Sequence, residues 1–288
     1  MSDRLPNAHS FIQLSVGNCH YRVDGPAAGK TLLLLHGATV PLWQFDRLAP
    51  LLNREGICTV RLDLYGHGYS DRPGAVHDYT LFTRQVFELL DSLELSGEID
   101  ILGHSLGAAI AARLLLADPD RFGALVMAAP MLNYLDANRA ARLLRVPLLG
   151  EWLIDHYVLP MLVRRRARRY RNIEDGRFVA MFRDQFRVPG FGRSLLSLMR
   201  SDALADQRSC YAALNTLANP VLLLGGAGDQ IATPAHMRVL GDLLPRAQRH
   251  IINGAEHALI LTHPEQVASQ VKRFLEVRER PVLCRGKP

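Results

Sequence analysis

The chain has 288 residues, 48% of them hydrophobic and 22% charged, with four cysteines and a formal net charge of +6. That length suits one α/β domain carrying an insertion better than two independent domains, and the apolar share suits a substantial core. The mild charge and the 7% aromatic content argue against a nucleic-acid binder. Cys19, Cys58, Cys210 and Cys284 show neither CxxC spacing nor a paired framework, which argues against a zinc site or a disulfide scaffold.

The opening MSDRLPNAHS lacks the basic and then apolar regions of a secretory signal. Next, SFIQLSV and HYRVDG alternate polar with apolar residues, as an antiparallel edge hairpin does. TLLLLHG (Thr31–Gly37) is the first continuous apolar run, and Leu42–Arg54 follows with helical spacing. ICTVRLDL (Ile57–Leu64), IDILGHS (Ile99–Ser105), ALVMAAP (Ala124–Pro130) and PVLLLGG (Pro220–Gly226) repeat the apolar pattern, each ending in small or turn-forming residues. Such runs read as parallel strands covered on both faces. Leu81–Leu93, Leu106–Leu116, Ala235–Leu244 and Pro264–Val277 read as helices, and RHIINGA (Arg249–Ala255) as the last strand. In THPE, Thr262 and Glu265 have capping-box spacing with Pro264 in the first turn. Alternating strands and helices predict a doubly wound α/β sheet.

The alternation stops between Pro130 and Asn219, an interval rich in Leu and Arg and too long for an ordinary connection. It is expected to be a helical cap, residues 131–219, inserted into a core made of 1–130 and 220–288. Ligands of open α/β sheets bind beyond the carboxyl ends of the strands, so a cap there would roof a pocket. The stretch 143–163 is interrupted by Arg145, Pro147, Glu151, Asp155 and His156, short of the ~20 apolar residues of a membrane span. A soluble, cytoplasmic protein is expected.

Gly103-His104-Ser105-Leu106-Gly107 fits G-x-S-x-G between a predicted strand and a predicted helix. A serine forced into a tight turn there would present its hydroxyl to a substrate, and side chains at 103 and 107 would strike backbone. The pattern alone leaves a second reading open, a serine that caps the following helix.

Taken in order, the motifs resemble those of the α/β-hydrolase superfamily. LLLLHGAT resembles its His-Gly oxyanion loop, RLDLYGHGYSDRP (Arg61–Pro73) its turn after the fourth strand, and GHSLG its nucleophile elbow. GGAGDQIATP (Gly225–Pro234) resembles the loop that carries the acid, and INGAEHALI (Ile252–Ile260) the loop that carries the histidine. The resemblance implies an eight-stranded, mostly parallel sheet with a helical cap. It also implies Ser105 as nucleophile, His257 as base and Asp229 as acid, in the chain order of that fold. The backbone N–H groups of Ala38 and Leu106 would form the oxyanion hole. Asp136, after ALVMAAP, is a rival acid, and Asp63 reads as a turn-holding carboxylate. His36 and His67 sit in glycine-containing turns and read as structural, and His104 as a packing residue. Relatives that use an aspartate nucleophile carry it at the elbow, where this chain has Ser105.

The implied activity is hydrolysis of a carboxylic ester through an acyl-enzyme. Carbon–carbon bond, lactone or thioester hydrolysis on the same three residues is the alternative, and a non-catalytic ligand receptor a more distant one. Apolar residues of the cap suggest an apolar acyl or alkyl group, with Trp152, Tyr157 and Met161 as substrate contacts. The arginine run Arg164–Arg171 has three readings: a solvated helix face, attraction to an anionic membrane surface, or recognition of an acidic substrate. Gly225, Gly226 and Gly228 do not have dinucleotide-loop spacing. No cofactor or metal is expected, and the expected partner is a small-molecule ester.

Overall fold

A computed structural model describes residues 10–279 apart from 96, 135–142, 171–172 and 174–175, and the described side chains further exclude 169 and 277–279. Asp136, Arg171 and Cys284 therefore lie outside the described residues.

Strands β1 (Ser10–Gln13) and β2 (Asn18–Asp24) form the expected antiparallel hairpin. β3 (Lys30–Leu35) leads to a 3-10 turn at Leu42–Phe45 and helix α1 (Ala49–Arg54). Then come β4 (Ile57–Leu62), α2 (Tyr79–Ser92), β5 (Ile99–His104), α3 (Leu106–Ala117) and β6 (Phe122–Ala128). Among the described residues, the α-helices between β6 and the next strand are α4 (Leu149–Leu153), α5 (Leu159–Arg169), α6 (Arg177–Arg187), α7 (Phe191–Arg200) and α8 (Arg208–Ala213). A wide π turn at Ile154–Val158 joins α4 to α5. The chain continues through β7 (Val221–Gly226), α9 (Pro234–Leu243), β8 (Gln248–Ile252), α10 (Leu259–Thr262) and α11 (Pro264–Glu279).

The eight strands form one sheet in the order β1-β2-β4-β3-β5-β6-β7-β8, antiparallel through β4 and parallel from there on. Its interior parallel strands are mostly apolar because both faces are covered. Leu33 and Leu35 of β3 enter the core beneath α2 and α3, while Leu32 and Leu34 point to the opposite core with α1 and α11. This two-residue alternation builds two cores from one run of leucines.

Two local expectations are corrected. Leu42–Arg54 is not one helix, since the 3-10 turn and α1 are separated at Asp46–Leu48. Pro50 has no N–H for the Asp46 carbonyl, and its ring would strike that carbonyl in a continuous helix. The THPE capping box does not form either. The Thr262 hydroxyl donates to Ala258 O at 3.1 Å, and Glu265 turns to Arg47, 3.6 Å away.

The interval between β6 and β7 divides in two. Helices α5–α7 sit on the loops that follow β3 and β4. Arg166 donates to Thr39 Oγ1 at 3.1 Å, Trp43 meets the Phe178 ring, and His77 N donates to Ser197 Oγ at 3.0 Å. Helix α8 instead packs beside α3 and α9. Among the described residues, no helix is long and apolar enough to cross a membrane.

Candidate active site

Ser105 follows β5 directly and has φ +54°, ψ −113°, outside the regions that L residues favour. The neighbouring glycines make that turn possible. A Cβ at position 103 would lie 2.3 Å from Gly107 O, and one at 107 would lie 2.2 Å from Leu35 O. Ser105 stands at the cap position of α3, yet its side chain makes no capping bond. The hydroxyl instead donates to His257 Nε2 at 3.1 Å.

His257 arrives from the loop after β8, and its Nδ1 donates to Asp229 Oδ2 at 2.9 Å. Asp229 follows β7, and its Oδ1 accepts from the amides of Ile231 and Ala232 at 2.7 and 3.0 Å. Burial resists the charge on Asp229, but the bonds from His257 and the two amides outweigh it and hold the carboxyl below its ordinary range. A carboxylate can only accept, so Nδ1 carries the imidazole hydrogen and Nε2 is left to accept from Ser105. Three loops at the carboxyl edge of the sheet thus bring together residues 105, 229 and 257, which lie far apart in the chain.

The loop after β3 is fixed by two histidines. His36 Nδ1 donates to Gly37 O at 2.7 Å, and its Nε2 accepts from Leu64 N at 2.9 Å. Burial pushes this imidazole down to about 3, with His67 adding to the effect, so it is neutral, as the accepting nitrogen requires. Gly37 O and Ala38 N–H belong to one trans peptide and point opposite ways. The His36 bond therefore sets the direction of the Ala38 N–H. His67 Nε2 donates to Ala38 O at 2.8 Å and holds the following peptide. Leu106 N–H heads α3, where backbone donors have no partner within the helix. Among the described residues, neither Ala38 N nor Leu106 N donates to a protein group.

His104 is more than packing. Its Nε2 donates to the His257 backbone carbonyl at 2.8 Å and its ring lies 5.1 Å from the His257 ring. Burial, reinforced by His257, lowers it to about 3. Asp63, 1% exposed, ties three segments together: it accepts from Leu42 N at 2.8 Å, Tyr69 N at 2.9 Å and His20 Nδ1 at 2.6 Å.

A cavity of about 940 Å3, its open mouth included, reaches Ser105, His104 and His257. Its walls are mostly apolar: Met131, Val158, Leu162, Leu195, Met199 and Leu204. Of the three expected substrate contacts, Met161 lines this cavity. Tyr157 lines an outer groove that shares Tyr134, Val158, Met161 and Met199 with it. Trp152 lines neither, because it stacks outward on His156 at 5.3 Å and is 48% exposed.

Arg166, which the sequence places only within the run Arg164–Arg171, lines the cavity. The signal was present, since Val158, Met161, Leu162 and Arg166 recur at helical spacing and all line the cavity. Arg164, Arg165 and Arg168 line the outer groove instead.

Residues 30–264 match the family model described as alpha/beta hydrolase fold. The chain is 27% identical over 265 residues to a 2-hydroxymuconate semialdehyde hydrolase from a Pseudomonas species, covering 86% of this chain and 87% of that protein. It is 26% identical over 260 residues to a pimeloyl-[acyl-carrier protein] methyl ester esterase from Nitrosomonas europaea, covering 86% and 96%. Among solved structures, a hydrolase from Pseudomonas aeruginosa superposes with a TM-score of 0.75 at 24% identity, covering 93% of this chain and 98% of that one.

Proposed function

The chain belongs to the alpha/beta hydrolase fold family, and from that premise we propose that it is a serine hydrolase cleaving carboxylic esters of apolar acyl or alkyl groups. One observation carries the reading. A strained serine donates to a histidine held by a buried carboxylate, and all of it opens on an apolar cavity. In this reading the helices above the site, α4 to α7, act as the cap.

His257 Nε2 takes the proton of Ser105 Oγ as the oxygen attacks the ester carbonyl carbon. The carbonyl oxygen becomes negative and meets the N–H groups of Ala38 and Leu106, with the first turn of α3 adding its positive end. Collapse of this intermediate expels the alcohol, which takes the proton from His257. A water then loses a proton to His257 and attacks the acyl-enzyme, releasing the carboxylic acid and restoring Ser105. Asp229 holds the Nδ1–H tautomer throughout and stabilises the imidazolium while it lasts.

A fluorophosphonate probe tests the reading directly. It should label the wild-type chain and leave Ser105→Ala unlabelled. Absence of labelling on folded wild-type protein would refute the nucleophile assignment. Esters of rising acyl length should show rates that increase with apolar length until the cavity is filled.

Likeness to the 2-hydroxymuconate semialdehyde hydrolase favours a second reading, carbon–carbon bond hydrolysis on the same three residues. Turnover of a vinylogous diketone acid, with no simple ester cleaved, would select it.

A further inference from the structure

We propose that Arg166 makes the cavity over Ser105 a site for an ester that also carries a carboxylate. The inference rests on the serine-hydrolase reading for the reaction, but not for the binding. Arg166 lines a cavity whose walls are otherwise mostly apolar. Its guanidinium is held by neutral groups, with Nη2 donating to Thr39 Oγ1 at 3.1 Å and Nη1 to the Tyr170 hydroxyl. Its carbon also lies 5.5 and 5.6 Å from the ring centroids of Tyr170 and Phe182, within cation–π range. Two of its five donors are thus used. Among the described residues, no carboxylate pairs with it.

Arg61 shows the contrast. It is as tightly enclosed as any arginine of the sheet, and it pairs with Asp24 at 2.6 Å and Asp46 at 2.8 Å. A guanidinium drawn into an apolar space without a counter-charge is poorly compensated. Arg166 is half-buried in the cavity wall, where water can meet its remaining donors until a ligand displaces it, and two rings and two hydroxyls fix its plane and position for a partner that enters with that ligand. A carboxylate fits, because its two oxygens match the guanidinium fork. Thr39 follows Ala38, so Arg166 stands beside the loop proposed to meet the oxyanion. The carboxylate therefore belongs on a short arm near the scissile ester, as in a half-ester of a dicarboxylic acid. This selects one of the open readings of the arginine run for one residue, while Arg164, Arg165 and Arg168 line the outer groove.

Two measurements test the assignment. The first compares kcat/KM for monomethyl glutarate, by pH-stat, with that for the neutral methyl ester in which an isopropyl group replaces the carboxylate. Wild type should favour the half-ester by at least about tenfold, the scale of discrimination a built polar subsite gives. Arg166→Met should bring that ratio to about one, and Arg166→Lys should retain part of it, as a point charge without the fork. A wild-type preference for the neutral ester, or a ratio that Arg166→Met leaves intact, would overturn the proposal. The second measurement is calorimetric titration of Ser105→Ala with monomethyl glutarate, with and without Arg166→Met. Binding should weaken at least about tenfold in the double variant. Equal binding, or none in Ser105→Ala, would overturn the anion site. If the half-ester binds through Arg166 and wild type cleaves neither ester, the ester-hydrolase reading fails and the anion site stands.

Discussion

Replacing Asp229 by asparagine separates a catalytic carboxylate from a turn-capping one. Asp229 is 1% exposed and accepts three hydrogen bonds, from His257 Nδ1 at 2.9 Å and from the amides of Ile231 and Ala232 at 2.7 and 3.0 Å. Asparagine can keep its Oδ1 on the two amides, so the turn survives. Its NH2 group then faces His257 Nδ1, and two donors cannot face each other. The imidazole is driven to the other tautomer, with the hydrogen on Nε2. That nitrogen lies 3.1 Å from Ser105 Oγ and can no longer accept its proton. The imidazolium also loses its compensating charge. In a serine protease with the same three-residue logic this substitution costs about ten-thousandfold in kcat, or about 5 kcal/mol of barrier. The assay is p-nitrophenyl butyrate hydrolysis beside a thermal melt. Asp229→Asn should melt near wild type with kcat reduced by at least about a thousandfold. A folded variant with kcat within tenfold of wild type would refute the assignment and return Asp136 as the acid to test.

Further outcomes follow from the neighbouring geometry. His36→Ala removes the bond that aims the Ala38 N–H, so kcat should fall about ten- to hundredfold with KM little changed, less than the loss of a whole oxyanion donor; an unaffected kcat in folded protein would dismiss Ala38 as a donor. Gly107→Ala places a Cβ 2.2 Å from Leu35 O, so the variant should lose at least about 3 kcal/mol of stability or fail to fold, read by denaturant melts. Acid should unfold the chain early. Burial lowers His36 and His104 to about 3 and His77 to about 4, so below pH 6.5 the unfolded chain binds protons that the folded chain refuses. Stability should therefore be full above pH 6.5 and fall on acidification, by up to about 4 kcal/mol per pH unit near pH 5 if all three contribute. Asp63 and Asp229, held below their ordinary range, add to the loss at lower pH. A flat urea midpoint between pH 7 and 5 would contradict this.

The sheet was legible because strands covered on both faces are mostly apolar, and their ends announce loops. Residues 105, 229 and 257 lie within a few positions of such ends, and the resemblance of those loops to hydrolase motifs is what singled them out there. The helical interval was less legible because a helix presents several faces and its sequence does not say which meets the site. Trp152 and Tyr157 look like pocket residues by type, yet both turn outward, while Arg166 looks like a surface residue and lines the cavity. Apolar spacing and capping patterns failed for two reasons, a tertiary partner in one place and a proline in the other. Arg47 draws Glu265 away from a capping box, and Pro50 divides a helix whose apolar spacing was continuous.

The histidines around Ser105 show how the site can stay rigid without added charge. His36, His67 and His104 are buried, and each bonds a backbone carbonyl beside the reacting groups: Gly37 O, Ala38 O and His257 O. Burial lowers all three from their ordinary range. As neutral donors they fix peptide planes without competing with His257 for the Asp229 charge. A protonated imidazole at any of these positions would draw the substrate's carbonyl oxygen away from the backbone donors proposed for it. Lysine or arginine could supply the same hydrogen bonds but would bring permanent charge to the loops beside Ser105. Neutral imidazole gives direction without charge, and among the described residues Arg166 is the arginine that lines this cavity.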